Sequence, residues 1–406
     1  MASIAAKWRS SFVFGAVRGR FLQAEVGTLV YLDHAASTPL CPEAREAMLP
    51  WLSERWGNAS SVHSVGRAAR AAIDEARDRI AAALRVDYDE VLFTSGGTES
   101  NNLAILGILR AAPSVRRRLV VSAIEHPSVL GAARAARQLG IEVTYAPVDN
   151  EGMVLRDDLA ALVGDDVALV SVMHANNEVG AIQDVPALAR VAHAHGALFH
   201  TDAVQTFGLL PDFPRAMGCD LVTISSHKVY GPQGAGALYV RRYVAIEPCL
   251  HGGSQERERR PGTESVAALV GFGVAAAVAD QRREEEARRL AGLRDDLIER
   301  LVRGRARAVL NGPRHKRLPN NVNVSMEGLD GATAVMLLDR EGICASAGSA
   351  CSSGSIEPSH VLMAMGLTGE RAAGAVRLSL GRTTTTGQIE EVADAVERIT
   401  QRVRAC

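Results

Sequence analysis

The chain has 406 residues, 47% hydrophobic and 22% charged, a globular composition on a length that exceeds one compact core. Its formal net charge of −1 argues against a nucleic-acid or anionic-membrane surface, and no apolar run reaches the roughly 18 residues that span a bilayer. Six scattered cysteines (Cys41, Cys219, Cys249, Cys344, Cys351, Cys406) lack a CxxC pair, which excludes a disulfide framework or structural zinc site and suits a reducing cytoplasm.

In chain order, residues 1–24 carry Lys7, Arg9, Arg18 and Arg20 without an acid, but lack the layout of a secretory signal. An organelle transit peptide, an upstream start and a loose extension all remain open. Val30–Pro39 reads as a short extended segment closed by a turn. Helices are expected over 42–55, with Pro42 at the start, and over 64–84, with the polar loop Gly57–His63 between them.

From 91 to 240 strands and helices alternate. Strands are expected at 91–94, 119–124, 142–148, 168–174, 197–203, 220–225 and 236–240, with helices near 99–111, 127–139 and 185–195. Such a pattern predicts an α/β domain whose seven-stranded, mostly parallel sheet is covered on both faces, with its chemistry at the carboxyl ends of the strands. Residues 281–305, dense in Arg and Glu, predict a long solvated helix bridging two domains. Strands near 306–310, 320–326, 343–347 and 376–380, with helices near 331–341, 358–366 and 387–404, then predict a smaller α+β domain. The expected division is an extension at 1–28, a large domain at 29–280 and a small one at 281–406. Residues 29–41 are candidates to pack with the small domain.

The candidate chemistry gathers at strand ends. Lys228 follows the apolar strand Leu221–Ser225 in Ser-Ser-His-Lys-Val-Tyr-Gly-Pro, and Asp202 and Gln205 follow another strand. An amine paired with a buried carboxylate suits pyridoxal phosphate: the lysine forms the Schiff base and the acid keeps the pyridine nitrogen protonated. Thr-Ser-Gly-Gly-Thr-Glu-Ser-Asn-Asn (94–102) is a strand, a glycine turn and a helix start, where Gly97 and Thr98 can donate to a phosphate alongside Ser225 and His227. It is neither a Walker loop nor GxGxxG. His126 in Glu-His-Pro sits where it could stack on an aromatic cofactor and move protons, and Asn177 lies in the same layer. His126, His174, His193, His195 and His200 match no zinc spacing, so no metal is assigned. Cys351, in Gly-Ser-Ala-Cys-Ser-Ser, is expected to be exposed and mobile, fit for a travelling nucleophile or simply a surface thiol. Arg377, inside the apolar strand Val-Arg-Leu-Ser-Leu, needs an anion: a substrate carboxylate or an internal partner.

With Tyr-Leu-Asp-His-Ala-Ala-Ser-Thr-Pro, Asn-Asn-Glu-Val-Gly and Thr-Asp-Ala-Val-Gln added, the chain from Tyr31 to its C-terminus resembles the cysteine desulfurases of the NifS/IscS type, class V aminotransferase-like enzymes related to selenocysteine lyases. The resemblance implies pyridoxal phosphate fold type I and usually a homodimer. Lys228 would hold pyridoxal 5'-phosphate, Asp202 its ring nitrogen and Gln205 its ring hydroxyl, with His126 stacked on the ring. Thr98, Ser225 and His227 would hold the phosphate, joined by Thr263 from the partner protomer. Asn177 and Arg377 would contact the substrate, L-cysteine. Cys351 would accept the sulfur as a persulfide, leaving L-alanine, and pass it to an acceptor protein in iron–sulfur or thiolation pathways. The cysteine loop is similar to the long-loop group, with Ser226 and Ala347 departing from its pattern. The chain ends at Cys406 soon after the last expected helix, which leaves scaffold docking open. Two other readings share this fold: a selenocysteine lyase and a non-catalytic partner-binding protein.

Overall fold

The computed structural model describes residues 29–211, 213–347 and 358–404; the extension at 1–28, Cys351 and Cys406 lie outside them. After β1 (Val30–Tyr31) come α1 (Pro42–Leu52) and α2 (Ser64–Leu84). Pro42 opens α1, where its missing N–H costs nothing, and the His63 ring caps α2 by accepting from Gly66 N–H at 3.3 Å.

Seven strands form the main sheet: β2 (Val91–Thr94), β3 (Arg118–Ser122), β4 (Glu142–Ala146), β5 (Val167–Ser171), β6 (Leu198–Asp202), β7 (Leu221–Ser225) and β8 (Gly236–Val240). Their order is β2-β8-β7-β6-β5-β3-β4, and β8 alone runs antiparallel to its neighbours. Consecutive residues feed opposite faces. Phe93, Val120, Val170 and Val222 share one core with α2, α7 and α9, whereas Leu92, Leu119, Val121 and Leu169 pack under the helices of the other face. That two-sided burial is why the strands read as continuous apolar runs.

Between the strands lie α3 (Gly97–Asn102), a π-turn (Leu103–Gly107), α4 (Ile108–Ala111), α5 (Pro127–Gln138), α6 (Arg156–Leu162), α7 (Val185–Ala194) and α8 (Pro214–Met217). β3, β4 and β5 end two or three residues before the expected limits and β6 one, because the chain leaves the ladder at the carboxyl edge to enter the loops, while β7 ends at Ser225 as expected. The short α6 and α8 had no expected counterpart.

The charged helix is longer than expected: α9 runs from Val266 to Arg303 and starts within an all-apolar, alanine-rich stretch that shows no amphipathic signal. It is also not simply solvated. Phe272, Ala275 and Ala276 join the main core, while Leu290, Leu297 and Leu301 join a second core. The expected boundary near residue 280 falls inside this helix.

The second core lies around an antiparallel sheet of order β12-β13-β10-β9, made from β9 (Val309–Leu310), β10 (Asn321–Ser325), β12 (Ser346–Ala347) and β13 (Ala375–Ser379). Around it are α10 (Gly331–Arg340), β11 (Ile343–Cys344), α11 (His360–Ala364), α12 (Gly369–Ala373) and α13 (Thr386–Arg404). β1 pairs with β11, and Leu32 is buried in the second core.

β8 begins with Gly236, where any Cβ would lie 2.6 Å from the Gly96 Cα. Gly236→Ala should therefore push β8 off the Gly96 turn and cost roughly 1–3 kcal/mol, read as a lower urea midpoint.

Candidate functional site

Four strand ends of the main sheet converge. β7 ends at Ser225 and passes through the short turn Ser226–Lys228, and β6 ends at Asp202. β3 leads through Glu125 to His126, which caps α5, and β2 runs into the Gly96–Gly97 turn that opens α3. Arg377 arrives from the other sheet, on β13. The result is one cleft of about 310 Å³. Gly97, Thr98, His126, Asn177, Asp202, Gln205, Ser225, His227, Lys228 and Arg377 all line it. It continues into an outer cleft of about 360 Å³ through Gly97, Thr98, Ser225 and His227.

The polar contacts are tight. The Lys228 ammonium donates to the Ala35 and Ala36 carbonyls at 2.5 and 2.6 Å, and the Gln205 amide donates to the same Ala35 carbonyl at 3.0 Å. Asp202 accepts from the Val204 N–H (2.9 Å) and from Asn101 Nδ2 (2.7 Å). The same Asn101 nitrogen donates to Ser128 Oγ (2.8 Å), which stands 2.7 Å from His126 Nδ1. A chain Asp202–Asn101–Ser128–His126 results. Arg377 donates to Asp33 Oδ1 (2.8 Å), to the Asn177 carbonyl (3.1 Å) and to Ser346 Oγ (3.2 Å). Of the two partners open to Arg377, the structure shows the internal one.

Burial sets the charges. It lowers the His126 pKa, with Asp202 opposing and Lys228 and His360 assisting, so the ring is neutral near pH 7. Because His126 Nδ1 accepts the Ser128 N–H at 3.1 Å, the proton belongs on Nε2. Burial, aided by Lys228, brings His227 down to about 4. Burial also raises two carboxyls beside the cleft: Glu125 to about 8 and Glu178 to about 7, the latter against a 2.5 Å hydrogen bond from Ser359 and the nearby Arg377.

One expected residue, Thr263, is not brought to the cleft. It is exposed on the surface of the chain, and Cys351 lies outside the described residues. The described residues on either side of the cysteine segment do reach the site. Ser346 hydrogen-bonds Asp33 and Arg377, and His360 Nε2 lies 3.0 Å from the Glu125 carbonyl. Asp33, Asn101, Ser128 and the Ala35–Ala36 carbonyls had no expected role. Only Asn101 left a signal, four residues after Gly97 and so on the same helix face.

A groove of about 840 Å³ among α1, α2 and α9, lined by Trp51, Trp56 and Val65, takes no part in the site. Among the described residues no group of three or more His, Cys, Asp or Glu could hold a metal ion, and no helix is long and apolar enough to cross a membrane.

Glu178 and Glu125 hold protons in the folded protein at pH values where the unfolded chain has lost them. Their contribution to stability is complete below about pH 4.5 and is lost as pH rises through about 7 and 8. Urea denaturation of Glu178→Gln should show a smaller loss of stability between pH 4.5 and 7 than the parent; an equal loss would place the proton elsewhere.

The sequence profile of the Aminotransferase class-V family matches residues 30–392. "Cysteine desulfurase IscS" of Dictyoglomus turgidum is 47% identical over 375 residues, covering 92% of this chain and 95% of that protein. A protein of the same name from Methanosarcina thermophila is 46% identical, covering 92% and 93%. Among solved structures, a "NIFS-LIKE PROTEIN" superposes with a TM-score of 0.87 at 34% identity, covering 92% of this chain and all of that one. "SspA in complex with cysteine" gives 0.76 at 33%, covering 87% and 99%. With its Lys228, Asp202 and His126 gathered at the carboxyl edge of such a sheet, the chain belongs to the class-V aminotransferase family, among the cysteine desulfurases of the NifS/IscS type.

Proposed function

We infer that this chain is a pyridoxal-phosphate-dependent cysteine desulfurase that converts L-cysteine to L-alanine and leaves the sulfur on Cys351. The observation that carries this reading is the meeting of Lys228, Asp202, His126 and Arg377 in one cleft. The residues present fit the cofactor. An amine and a carboxylate share the inner cleft, and Gly97, Thr98, Ser225 and His227 line the passage outward. A Cβ on Gly97 would fill part of that cradle, 3.0 Å from Val204 Cγ2. When bound, pyridoxal phosphate supplies an electron sink that acidifies the substrate Cα proton.

Lys228 is the residue that would hold the cofactor, and its amine is the base for the Cα proton. Asp202, fixed by Asn101 and Val204, would face the pyridine nitrogen, and Gln205 the ring hydroxyl. Neutral His126, oriented by Ser128, would cover the ring and offer its Nε2 proton. Arg377 would bind the substrate carboxylate, and Asn177 would line the same pocket. The Cys351 thiolate attacks the substrate sulfur: an S–S bond forms and the C–S bond breaks with its electron pair passing to carbon. That carbon then takes a proton and leaves as alanine, so cysteine plus the Cys351 thiol give alanine plus a Cys351 persulfide.

The exposed Thr263 supports a homodimer in which it reaches the partner's phosphate site, and an acceptor protein would take the persulfide sulfur. The free thiols of Cys41, Cys219, Cys249 and Cys344 support a reducing, cytoplasmic setting.

The purified protein should carry a visible cofactor band that shifts when L-cysteine is added, with alanine and, under a reducing thiol, sulfide appearing in equal amounts. A protein that binds pyridoxal phosphate but forms no alanine would overturn the reading. Cys351→Ser should keep the band and its shift yet form no sulfide. Arg377→Lys keeps the charge but loses the two-pronged fork, and should raise KM for cysteine about tenfold with a smaller change in kcat.

A further inference from the structure

Three consecutive residues in the loop before α9, Glu256, Arg257 and Glu258, have φ of 47°, 58° and 63°. None is glycine, and side chains other than glycine avoid this left-handed region unless neighbours hold them there. The neighbours are plain. Glu256 is buried and takes both arms of the buried Arg77 guanidinium at 2.5 and 2.7 Å. It also accepts the Phe93 N–H at 2.8 Å, while Arg77 and Arg257 donate to the Val91 carbonyl at 2.9 and 2.7 Å.

These bonds land on β2, an edge strand of the main sheet. An open edge normally leaves unpaired N–H and C=O groups. Here the strained turn completes the ladder with side chains. β2 then runs directly into the Ser95–Gly97 turn and α3.

The same loop reaches that turn a second time. Arg260 grips Glu99 with bonds of 2.7 and 3.2 Å, and Glu99 accepts the Ser95 N–H at 2.7 Å. Glu99 lines the outer cleft beside Gly97 and Thr98. Burial works to raise its pKa, but Arg260 and the Ser95 N–H outweigh it, so the group is a carboxylate. A negative charge next to a phosphate cradle repels the phosphate unless a cation cancels it.

We propose that Glu256 and Arg260 are positioning residues for the cofactor phosphate: Glu256 fixes the strand that delivers the glycine turn, and Arg260 both holds the turn through Glu99 and neutralises that carboxylate. The proposal rests on the reading above that the phosphate sits at Gly97 and Thr98.

The full-length protein, stripped of cofactor, is titrated with pyridoxal phosphate and with pyridoxal, and binding is read by absorbance. The parent should prefer the phosphorylated form; a parent without that preference would overturn the phosphate-site reading itself. Arg260→Gln, at a position where the side chain is 22% exposed, should weaken pyridoxal phosphate about tenfold or more while pyridoxal changes less than about twofold. The double variant Glu99→Gln/Arg260→Gln should regain most of the lost affinity, because the uncancelled charge is gone. Unchanged affinity for pyridoxal phosphate in Arg260→Gln, equal loss of both ligands, or a double variant no better than Arg260→Gln would each overturn the proposal. Glu256→Gln, if its circular dichroism matches the parent's, should show the same phosphate-selective loss. Should it misfold, the Arg260→Gln comparison decides alone.

Discussion

The site depends on where residues 33–38 lie. This segment bridges the two cores: Leu32 is buried in the second one, and the Ala35 and Ala36 carbonyls receive the Lys228 ammonium of the first. Asp33 binds Arg377, the Ser37 hydroxyl lies 3.2 Å from His227 Nδ1, and Thr38 donates to the His227 carbonyl. This short segment after β1 therefore sets the amine, the guanidinium and the phosphate-side histidine relative to one another.

The site avoids accumulating charge by burying groups in neutral form. His126 and His227 are kept unprotonated, while Glu125 and Glu178 are kept protonated. What stays charged is paired, as Arg377 is with Asp33. The low dielectric that makes such groups neutral also strengthens each remaining contact with an anionic ligand.

Much of this was legible in the residues. Runs such as Leu-Val-Thr-Ile-Ser before Lys228 announce a buried strand, and the carboxyl-edge rule then places the lysine, Asp202 and His126 together. What stayed hidden has physical causes. Asn101 and Ser128 matter because two helices lie side by side, and no local pattern records that. Asp33 is an ordinary acid until β1 pairs with β11 three hundred residues later. The first half of α9 carries no helical periodicity because it is apolar all round, even along its partly exposed stripe of Val266, Val270, Val274 and Val278. The roles of Cys351 and Thr263 come from family resemblance alone.

At 38 residues, α9 is about 57 Å long, and its two ends are buried in different cores. It works as a shared beam. No loop interrupts it at the junction, so one core cannot swing against the other on a free hinge, and any rearrangement there must bend or unwind helix. Nor can either core melt in isolation without breaking the helix at its centre.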